Sequence, residues 1–180
     1  MVPGLNNSGP RHWQTLWQTQ LPECFRVEQR DFVNAVRSEW VTNIEAAVST
    51  HGEDSILVGH SCGSIAIAHW AAQTQLKIAG AVLVAPSDVE REGFPVQAVG
   101  FSPVPLQRLA FPTLVIVSGD DPYLRLKRAE SVAAAWGSKL VNIGAAGHIN
   151  ADSGYGSWPE GLRLLREFVA TLRASARSER

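Results

Sequence analysis

The hydrophobic positions of this chain form short continuous runs, separated by longer segments with helical spacing. Four runs of three to eight residues are apolar at almost every position, a pattern typical of strands buried on both faces of a parallel sheet. They occupy residues 56–58, 78–85, 114–117 and 140–143. A further run at residues 25–27 predicts a short strand at the edge of the sheet.

The segments between these runs predict helices. Four of them repeat apolar side chains at intervals of three and four, which gives a helix one buried face, and a fifth is apolar almost throughout. The five helices are predicted at residues 11–20, 34–49, 65–72, 126–136 and 159–176. Strands that alternate with helices in this way predict an α/β domain, with a mostly parallel sheet covered by helices on both faces.

The first ten residues have the composition of a loop. In an α/β domain such a loop normally follows a first strand, but only Met1 and Val2 precede it here. Either the first strand is a two-residue stub, or it lies upstream of this sequence.

The length of the chain favours a single domain spanning residues 1–180. Its 45% hydrophobic residues and mean hydropathy of −0.03 are typical of a globular protein. The net charge of −1 gives no reason to expect a nucleic-acid partner. No apolar run approaches the ~20 residues that a membrane helix needs, so no membrane partner is expected either.

Cysteine usage indicates a reduced setting, since the only two cysteines, Cys24 and Cys62, form no C-x-x-C motif. No signal peptide precedes Val2, and we therefore expect a cytoplasmic protein. No cofactor is expected, because the glycine-rich stretch at residues 59–63 matches neither G-x-G-x-x-G nor a phosphate-binding loop with its lysine.

That stretch, Gly-His-Ser-Cys-Gly at residues 59–63, lies between the strand at residues 56–58 and the apolar helix. A strand, G-x-S-x-G and a helix are the context of a nucleophile elbow, in which a sharp turn projects the serine hydroxyl above the sheet. Glycine two positions before and after the serine avoids collisions with the neighbouring strand and helix. Ser61 is therefore the candidate nucleophile.

Two further strand ends carry the partners that a serine nucleophile requires. Because ligands bind beyond the carboxyl ends of parallel strands, we expect Ser61, an acid at position 120 or 121, and His148 to meet there. His148 would act as the base and an aspartate would fix its tautomer. Asp121 is preferred because Pro122 fixes the chain direction after it, and Asp120 remains the alternative.

Negative charge on the reacting oxygen needs two N–H donors. The amide of Cys62 is one candidate, since it follows the nucleophile in sequence. The second donor is predicted in the N-terminal loop, as the amide of Leu5 or Asn6.

Other side chains are candidates for the pocket. His12 is predicted either to line it or to lie at the surface or cap the first helix, and His60 flanks the serine. Trp158 follows His148 in a glycine-rich segment and is a candidate pocket wall. Residues 87–110 are long enough to form another wall. No metal is expected, since no third ligand is spaced to join His60 and Cys62.

Several motifs together resemble the small serine hydrolases related to retinoblastoma-binding protein 9 and bacterial YdeN. They are found at residues 3–5, 8–10, 12–14, 59–63, 101–105, 118–123 and 147–150. The resemblance implies a compact α/β-hydrolase fold without a large cap domain, a catalytic triad of Ser61, Asp121 and His148, and activity on esters or amides. The chain departs from that family chiefly in its first strand.

The leading hypothesis is a serine hydrolase that cleaves a small ester, thioester or amide through an acyl-enzyme. Two alternatives remain at this point. One is a non-catalytic interaction module on the same scaffold, with a protein partner of unspecified identity. The other is an acyltransferase that uses the same triad.

Overall fold

The computed structural model describes residues 1–178, with side chains through residue 175. Its elements are α1 (Trp13–Gln20), α2 (Arg37–His51), β1 (Ile56–His60), α3 (Cys62–Ala71), β2 (Gly80–Val84), β3 (Thr113–Val117), α4 (Leu126–Trp136), β4 (Lys139–Asn142) and α5 (Pro159–Ser178). Positions 179 and 180 of the predicted single domain lie outside the described residues. No helix within residues 1–178 is both long enough and apolar enough to cross a membrane.

The four strands form one sheet in the order β1-β2-β3-β4, and every pair is parallel. Successive side chains along each strand enter different cores, as the pleat requires. Leu83 of β2 packs in the core that contains residues of α2, α3 and α4, whereas Val82 packs in the core formed with α1 and α5. The predicted α/β architecture, with helices on both faces and no large cap domain, is confirmed.

The two residues before the N-terminal loop extend the sheet beyond β1. Val2 forms an isolated parallel bridge with Gly59. Its amide donates to the Val58 carbonyl at 2.8 Å, and its carbonyl accepts from the His60 amide at 3.1 Å. The fully buried Gln14 of α1 donates to the carbonyls of Val2 and Val58. This stub therefore anchors the loop that follows it against the site edge of the sheet.

The strand predicted at residues 25–27 is wrong. The segment is extended, but it pairs with Met1 alone: the Met1 amino group donates to the Phe25 carbonyl, and the Val27 amide donates to the Met1 carbonyl. A single partner residue is too short for a ladder. Among the helices, the largest difference from the predicted boundaries is that α2 begins at Arg37 and α3 begins at Cys62.

Candidate active site

Ser61 lies between β1 and α3 with a backbone conformation that non-glycine residues rarely adopt, φ 55° and ψ −126°. Its amide donates to the carbonyl of Val84 on the neighbouring strand at 3.0 Å, which holds the turn in place. Strain of this kind persists only where surrounding structure enforces it, and it commonly marks functional sites. The turn is the nucleophile elbow expected from the sequence.

Three glycines allow the chain to approach this turn closely. A Cβ atom at Gly59 would lie 2.8 Å from the backbone of α3, and one at Gly63 would lie 2.2 Å from the Val2 carbonyl oxygen. A Cβ atom at Gly4 would lie 2.7 Å from the Cβ atom of Ser61 itself. The N-terminal loop therefore packs directly against Ser61, and only glycine fits at the contact.

His148 lies between Ser61 and Asp121. Its Nε2 atom is 2.9 Å from the Ser61 hydroxyl oxygen, and its Nδ1 atom is 2.9 and 3.1 Å from the two carboxylate oxygens of Asp121. Because an ionised carboxylate can only accept, Nδ1 carries the proton and Nε2 is free to accept from Ser61. The Asp121 side chain is only 2% exposed. The structure thus brings these three predicted residues together, in the order hydroxyl, imidazole and carboxylate.

Asp120 has a different position and different partners. One of its carboxylate oxygens accepts from the hydroxyl of Ser118 at 2.6 Å and from the amides of Ala146 and Gly147 at 2.8 Å each. The hydrogen bond from Ser118, followed by that from the Gly147 amide, lowers the pKa of Asp120. Asp120 therefore links the loop after β3 to the loop after β4, and it is Asp121 that meets the imidazole.

The helix α1 also contributes to the position of the imidazole. The indole N–H of Trp13 donates to the carbonyl of Ile149 at 2.8 Å, directly after His148. The amide of His148 donates to the Ser153 hydroxyl at 3.1 Å. The loop that carries the imidazole is thus fixed from both the N-terminal helix and its own turn.

Ser87, which the sequence analysis did not single out, also contacts Ser61. Its hydroxyl oxygen is 2.8 Å from that of Ser61, and the residue is buried. Ser87 follows β2 at the same edge of the sheet, so the rule that functional groups gather at strand ends could have found it.

The predicted N–H donors differ in availability. As the first residue of α3, Cys62 has an amide with no helical carbonyl four residues before it. The Asn6 amide already donates to the Phe32 carbonyl at 2.8 Å, whereas the Leu5 amide has no acceptor within residues 1–178. Of the two loop candidates, the geometry therefore favours Leu5.

A cleft of about 470 Å³ opens over Ser61, Ser87 and His148. Its walls come from the N-terminal loop, from the segment after β2, and from the loop after β4. The prediction that residues 87–110 form a wall is confirmed, with Arg91, Phe94 and Pro95 supplying it.

His12 caps α1 and also lines the cleft, whereas the predicted surface position is wrong because the residue is buried. Its Nδ1 atom accepts from the Gln14 amide at 3.2 Å and caps α1, and the ring lines the cleft. Burial, followed by the charges of Arg26 and His148, lowers the pKa of His12 to about 4. The ring is therefore neutral at pH 7.

His60 lines the cleft floor beside His148, with the two ring centroids 4.9 Å apart. Its Nε2 atom donates to the His148 carbonyl at 2.9 Å, because a carbonyl oxygen can only accept. Burial holds the pKa of His60 well below its ordinary range. It supports His148 without adding charge.

The prediction that Trp158 forms a pocket wall is wrong. Its ring stacks on Trp17 with centroids 5.6 Å apart and meets Trp13 edge-on at 5.3 Å. The residue lies in the core formed with α1 and α5 rather than along the cleft. Burying a large aromatic surface against other tryptophans outweighs exposure beside polar groups.

Metal and thiol chemistry find no support in the described residues. Within that part of the chain, no group of three His, Cys, Asp or Glu side chains is placed to hold a metal ion. The Cys62 side chain is fully buried, and burial raises the pKa of its thiol. The thiol is therefore protonated, which leaves Ser61 as the nucleophile candidate at this turn.

Comparison with known proteins places this geometry in a family. A family model described as serine hydrolase matches residues 1–167. The chain belongs to the serine hydrolase family. That assignment supports an enzyme rather than a non-catalytic module on this scaffold. None of the curated proteins compared with the chain matches it.

Solved structures agree with this assignment. A YdeN-like hydrolase from Pectobacterium atrosepticum is 39% identical, with a TM-score of 0.85 over 95% of this chain and 89% of that one. The ydeN gene product of B. subtilis is 20% identical, with a TM-score of 0.75 over 93% and 96%. The esterase RhEst1 from Rhodococcus sp. is 17% identical, with a TM-score of 0.67 over 95% and 89%. The predicted family resemblance is confirmed, and the two more distant structures share the fold.

Proposed function

We propose that this serine hydrolase cleaves a small ester, thioester or amide through an acyl-enzyme formed on Ser61. The observation that carries the proposal is the continuous hydrogen-bonded series from Ser61 through His148 to Asp121. The chain's similarity in fold to an esterase is consistent with ester substrates.

In the first half-reaction the Ser61 oxygen attacks the substrate carbonyl carbon, while His148 Nε2 takes the hydroxyl proton. Asp121 keeps the other proton on Nδ1 and stabilises the imidazolium that forms. The amides of Cys62 and Leu5 donate to the resulting oxyanion. Collapse breaks the bond to the leaving group, which takes the proton from Nε2 and departs as an alcohol, thiol or amine.

In the second half-reaction His148 takes a proton from water, and the resulting hydroxide attacks the acyl carbon. The bond to Ser61 then breaks, and the serine oxygen recovers its proton from Nε2. The products are a carboxylic acid and the free enzyme. The two half-reactions use the same groups in reverse roles.

A fluorophosphonate probe tests the assignment, with mass spectrometry locating the labelled residue. We expect labelling at Ser61 in the wild type and none in Ser61→Ala, while Ser131→Ala, on the exposed face of α4, labels normally. An unlabelled Ser61 in a protein with a normal thermal unfolding curve would contradict the proposal.

Combined substitutions test whether the groups act as a unit. Ser61→Ala and His148→Ala should each remove most turnover, and the double variant should lose little more. Product analysis with competing alcohols separates hydrolysis from acyl transfer by the same triad. If the reaction yields more ester of the added alcohol than free acid, the enzyme is an acyltransferase.

A further inference from the structure

One cation in the cleft has no anionic partner among the described side chains. Arg91 lies in the wall formed by the segment after β2, with its guanidinium carbon 5.2 Å from the ring centroid of Tyr123. That ring in turn meets the His148 ring edge-on at 4.6 Å. The Arg91 charge is therefore separated from the catalytic imidazole by a single aromatic ring.

The hydrogen-bonding capacity of Arg91 is largely unused. Its Nη1 atom donates to the Glu92 carbonyl at 3.2 Å, while its Nε atom is buried with no partner within the described part of the chain. It forms no ion pair with any carboxylate whose side chain is described. Of the three acids nearest in sequence, Asp88 and Glu90 face Arg128 instead, and Glu92 accepts from Arg91 only through its backbone carbonyl. A guanidinium has five N–H donors, so most of them remain available for a ligand.

The other ionisable groups along the cleft do not cancel this charge. Arg11 adds a second cation at the cleft mouth, and Asp152 is the only acid among the described lining residues. His12 and His60 are neutral at pH 7, because burial lowers the pKa of each. The residues that line the cleft therefore carry a positive balance, and the Asp121 carboxylate, which does not line the cleft, is engaged by His148 Nδ1 at 2.9 Å.

We propose that this hydrolase selects acyl substrates that carry a carboxylate, and that Arg91 binds that carboxylate. This proposal rests on the function proposed above. A guanidinium presents paired N–H donors that match the two oxygens of a carboxylate. The face of Tyr123 orients the guanidinium, and the aromatic contact favours a fixed position over a freely moving side chain. The substrate class is thus monoesters or related acyl derivatives of dicarboxylic acids.

The kinetic test compares the mono-p-nitrophenyl ester of glutaric acid with p-nitrophenyl valerate, which has the same chain length without the carboxylate. After subtraction of the uncatalysed rates, the wild type should have the higher kcat/KM for the glutarate ester. Arg91→Gln should reduce the ratio of the two kcat/KM values at least tenfold, and Arg91→Lys should retain part of it. Arg166→Gln makes the same charge change on the exposed face of α5 and should leave the ratio unaltered.

A binding measurement keeps this test independent of turnover. Calorimetry should show that the Ser61→Ala protein binds monomethyl glutarate with higher affinity than methyl valerate. Adding Arg91→Gln to that protein should abolish the difference in affinity. Equal affinity for the two esters, or a wild-type ratio that survives in Arg91→Gln, would overturn the substrate class. Carboxylate binding without turnover in the wild type would instead count against the proposed hydrolysis alone.

A second inference concerns Ser87 and rests on a separate observation. The Asp121 carboxylate fixes the proton of His148 on Nδ1, so Nε2 accepts the proton of Ser61. A serine hydroxyl has only one proton to donate. The 2.8 Å contact between the two hydroxyl oxygens must then be a hydrogen bond from Ser87 to Ser61. Ser87 has no other hydrogen-bond partner among the residues that the structure describes.

We infer that Ser87 is a fourth catalytic group, which acts on the oxygen of Ser61. Its donated hydrogen bond occupies a lone pair of that oxygen and so directs the Ser61 proton toward His148. The same donor stabilises negative charge on the serine oxygen when the acyl group departs in the second half-reaction. Its largest effect is therefore expected on deacylation.

The test compares Ser87→Ala with Ser87→Thr, which keeps a hydroxyl. Ser87→Ala should lower kcat tenfold to a hundredfold with little change in KM, and its slower deacylation should appear as a burst of p-nitrophenol. Ser87→Thr should recover most of the loss, and both variants should still label at Ser61 with fluorophosphonate. A kcat within twofold of wild type in Ser87→Ala, or equal losses in both variants, would contradict the inference.

Discussion

The loops that hold Asp121 and His148 differ in construction from the cleft wall at residues 87–95. Between the first two loops, the Gly119 amide donates to the Gly144 carbonyl at 2.7 Å, and the Asp120 carboxylate accepts two amides at 2.8 Å. Hydrogen bonds to a charged acceptor are about twice as strong as neutral ones. These contacts join the ends of two adjacent strands.

The wall is held mainly by local turns. The amides of Arg91 and Phe94 each donate to a carbonyl three residues earlier at 3.3 Å, and Val96, just beyond, is 93% exposed. Longer-range contacts hold the first part of the wall: the Asp88 amide donates to the Tyr123 carbonyl at 3.0 Å, and Glu90 accepts from the Val104 amide at 2.9 Å and pairs with Arg128. The geometry of the chemistry is thus fixed by the sheet, whereas the shape of the wall from Arg91 onward depends on its own short turns. Substrate choice can therefore change with less effect on the reacting groups than a change at the strand ends.

The prediction with the largest expected effect tests the separate roles of the two adjacent aspartates. Asp121→Asn should lower kcat by about 10⁴-fold, because an amide cannot hold the required imidazole tautomer. Asp120→Asn should cost much less activity and should instead lower the thermal unfolding temperature, since it weakens the link between the two loops. Steady-state kinetics and thermal melts on both variants check this. The reverse ranking would move the acid role to position 120.

A prediction of intermediate size tests whether the N-terminal loop is held as rigidly as the loops that carry Asp121 and His148. Gly4→Ala places a Cβ atom 2.7 Å from that of Ser61, so the loop carrying the Leu5 amide must shift. Loss of one oxyanion donor lowers kcat by about 10²- to 10³-fold, and we expect a loss of that order.

Gly9→Ala is the matched control, because a Cβ atom there meets nothing within 4 Å. Both variants are compared by kcat and by thermal melts. If Gly4→Ala retained wild-type kcat, the N-terminal loop would have to shift without loss of activity, as we expect of the cleft wall at residues 87–95.

The smallest effect concerns pH and the buried His12. The unfolded chain takes up a proton below the ordinary histidine pKa of 6.5, while the folded protein resists this until about pH 4. The free energy of unfolding should therefore fall as the pH drops through this window, by up to about 3 kcal/mol from His12.

His12→Asn keeps a capping oxygen for α1 and removes the titrating group. Chemical denaturation at several pH values should then show a flatter profile between pH 6.5 and 4 than in the wild type. His60, whose pKa burial also lowers, is present in both proteins, so the difference between the two profiles reports mainly on His12. Parallel profiles for the two proteins would place the pH dependence elsewhere.

Much of the site could be predicted because its signals are local. The sequence at residues 59–63 specifies the elbow, and parallel strands bring their carboxyl ends to one edge whatever the side-chain packing. That rule placed Asp121 and His148 near Ser61 without coordinates. The same rule applied to β2 also predicts Ser87 at this edge, since Ser87 follows that strand.

Other features depend on packing that the sequence does not specify locally. Trp158 lies near His148 in sequence, but its ring turns into the core because Trp13 and Trp17 provide an aromatic surface there. Residues 25–27 have strand propensity, but Met1 alone pairs with them. Asp120 and Asp121 have separate roles because their adjacent side chains have different partners, and only the folded loop determines which of them meets His148.

The hydrogen bond from the Trp13 indole to the carbonyl of Ile149 spans 136 positions along the polypeptide. During synthesis, therefore, the imidazole cannot reach its working position until residues 13 and 149 have both left the ribosome and docked. We expect no turnover before that contact forms. In the mature protein, local fraying of the first helix should abolish turnover at temperatures where the central sheet is still intact.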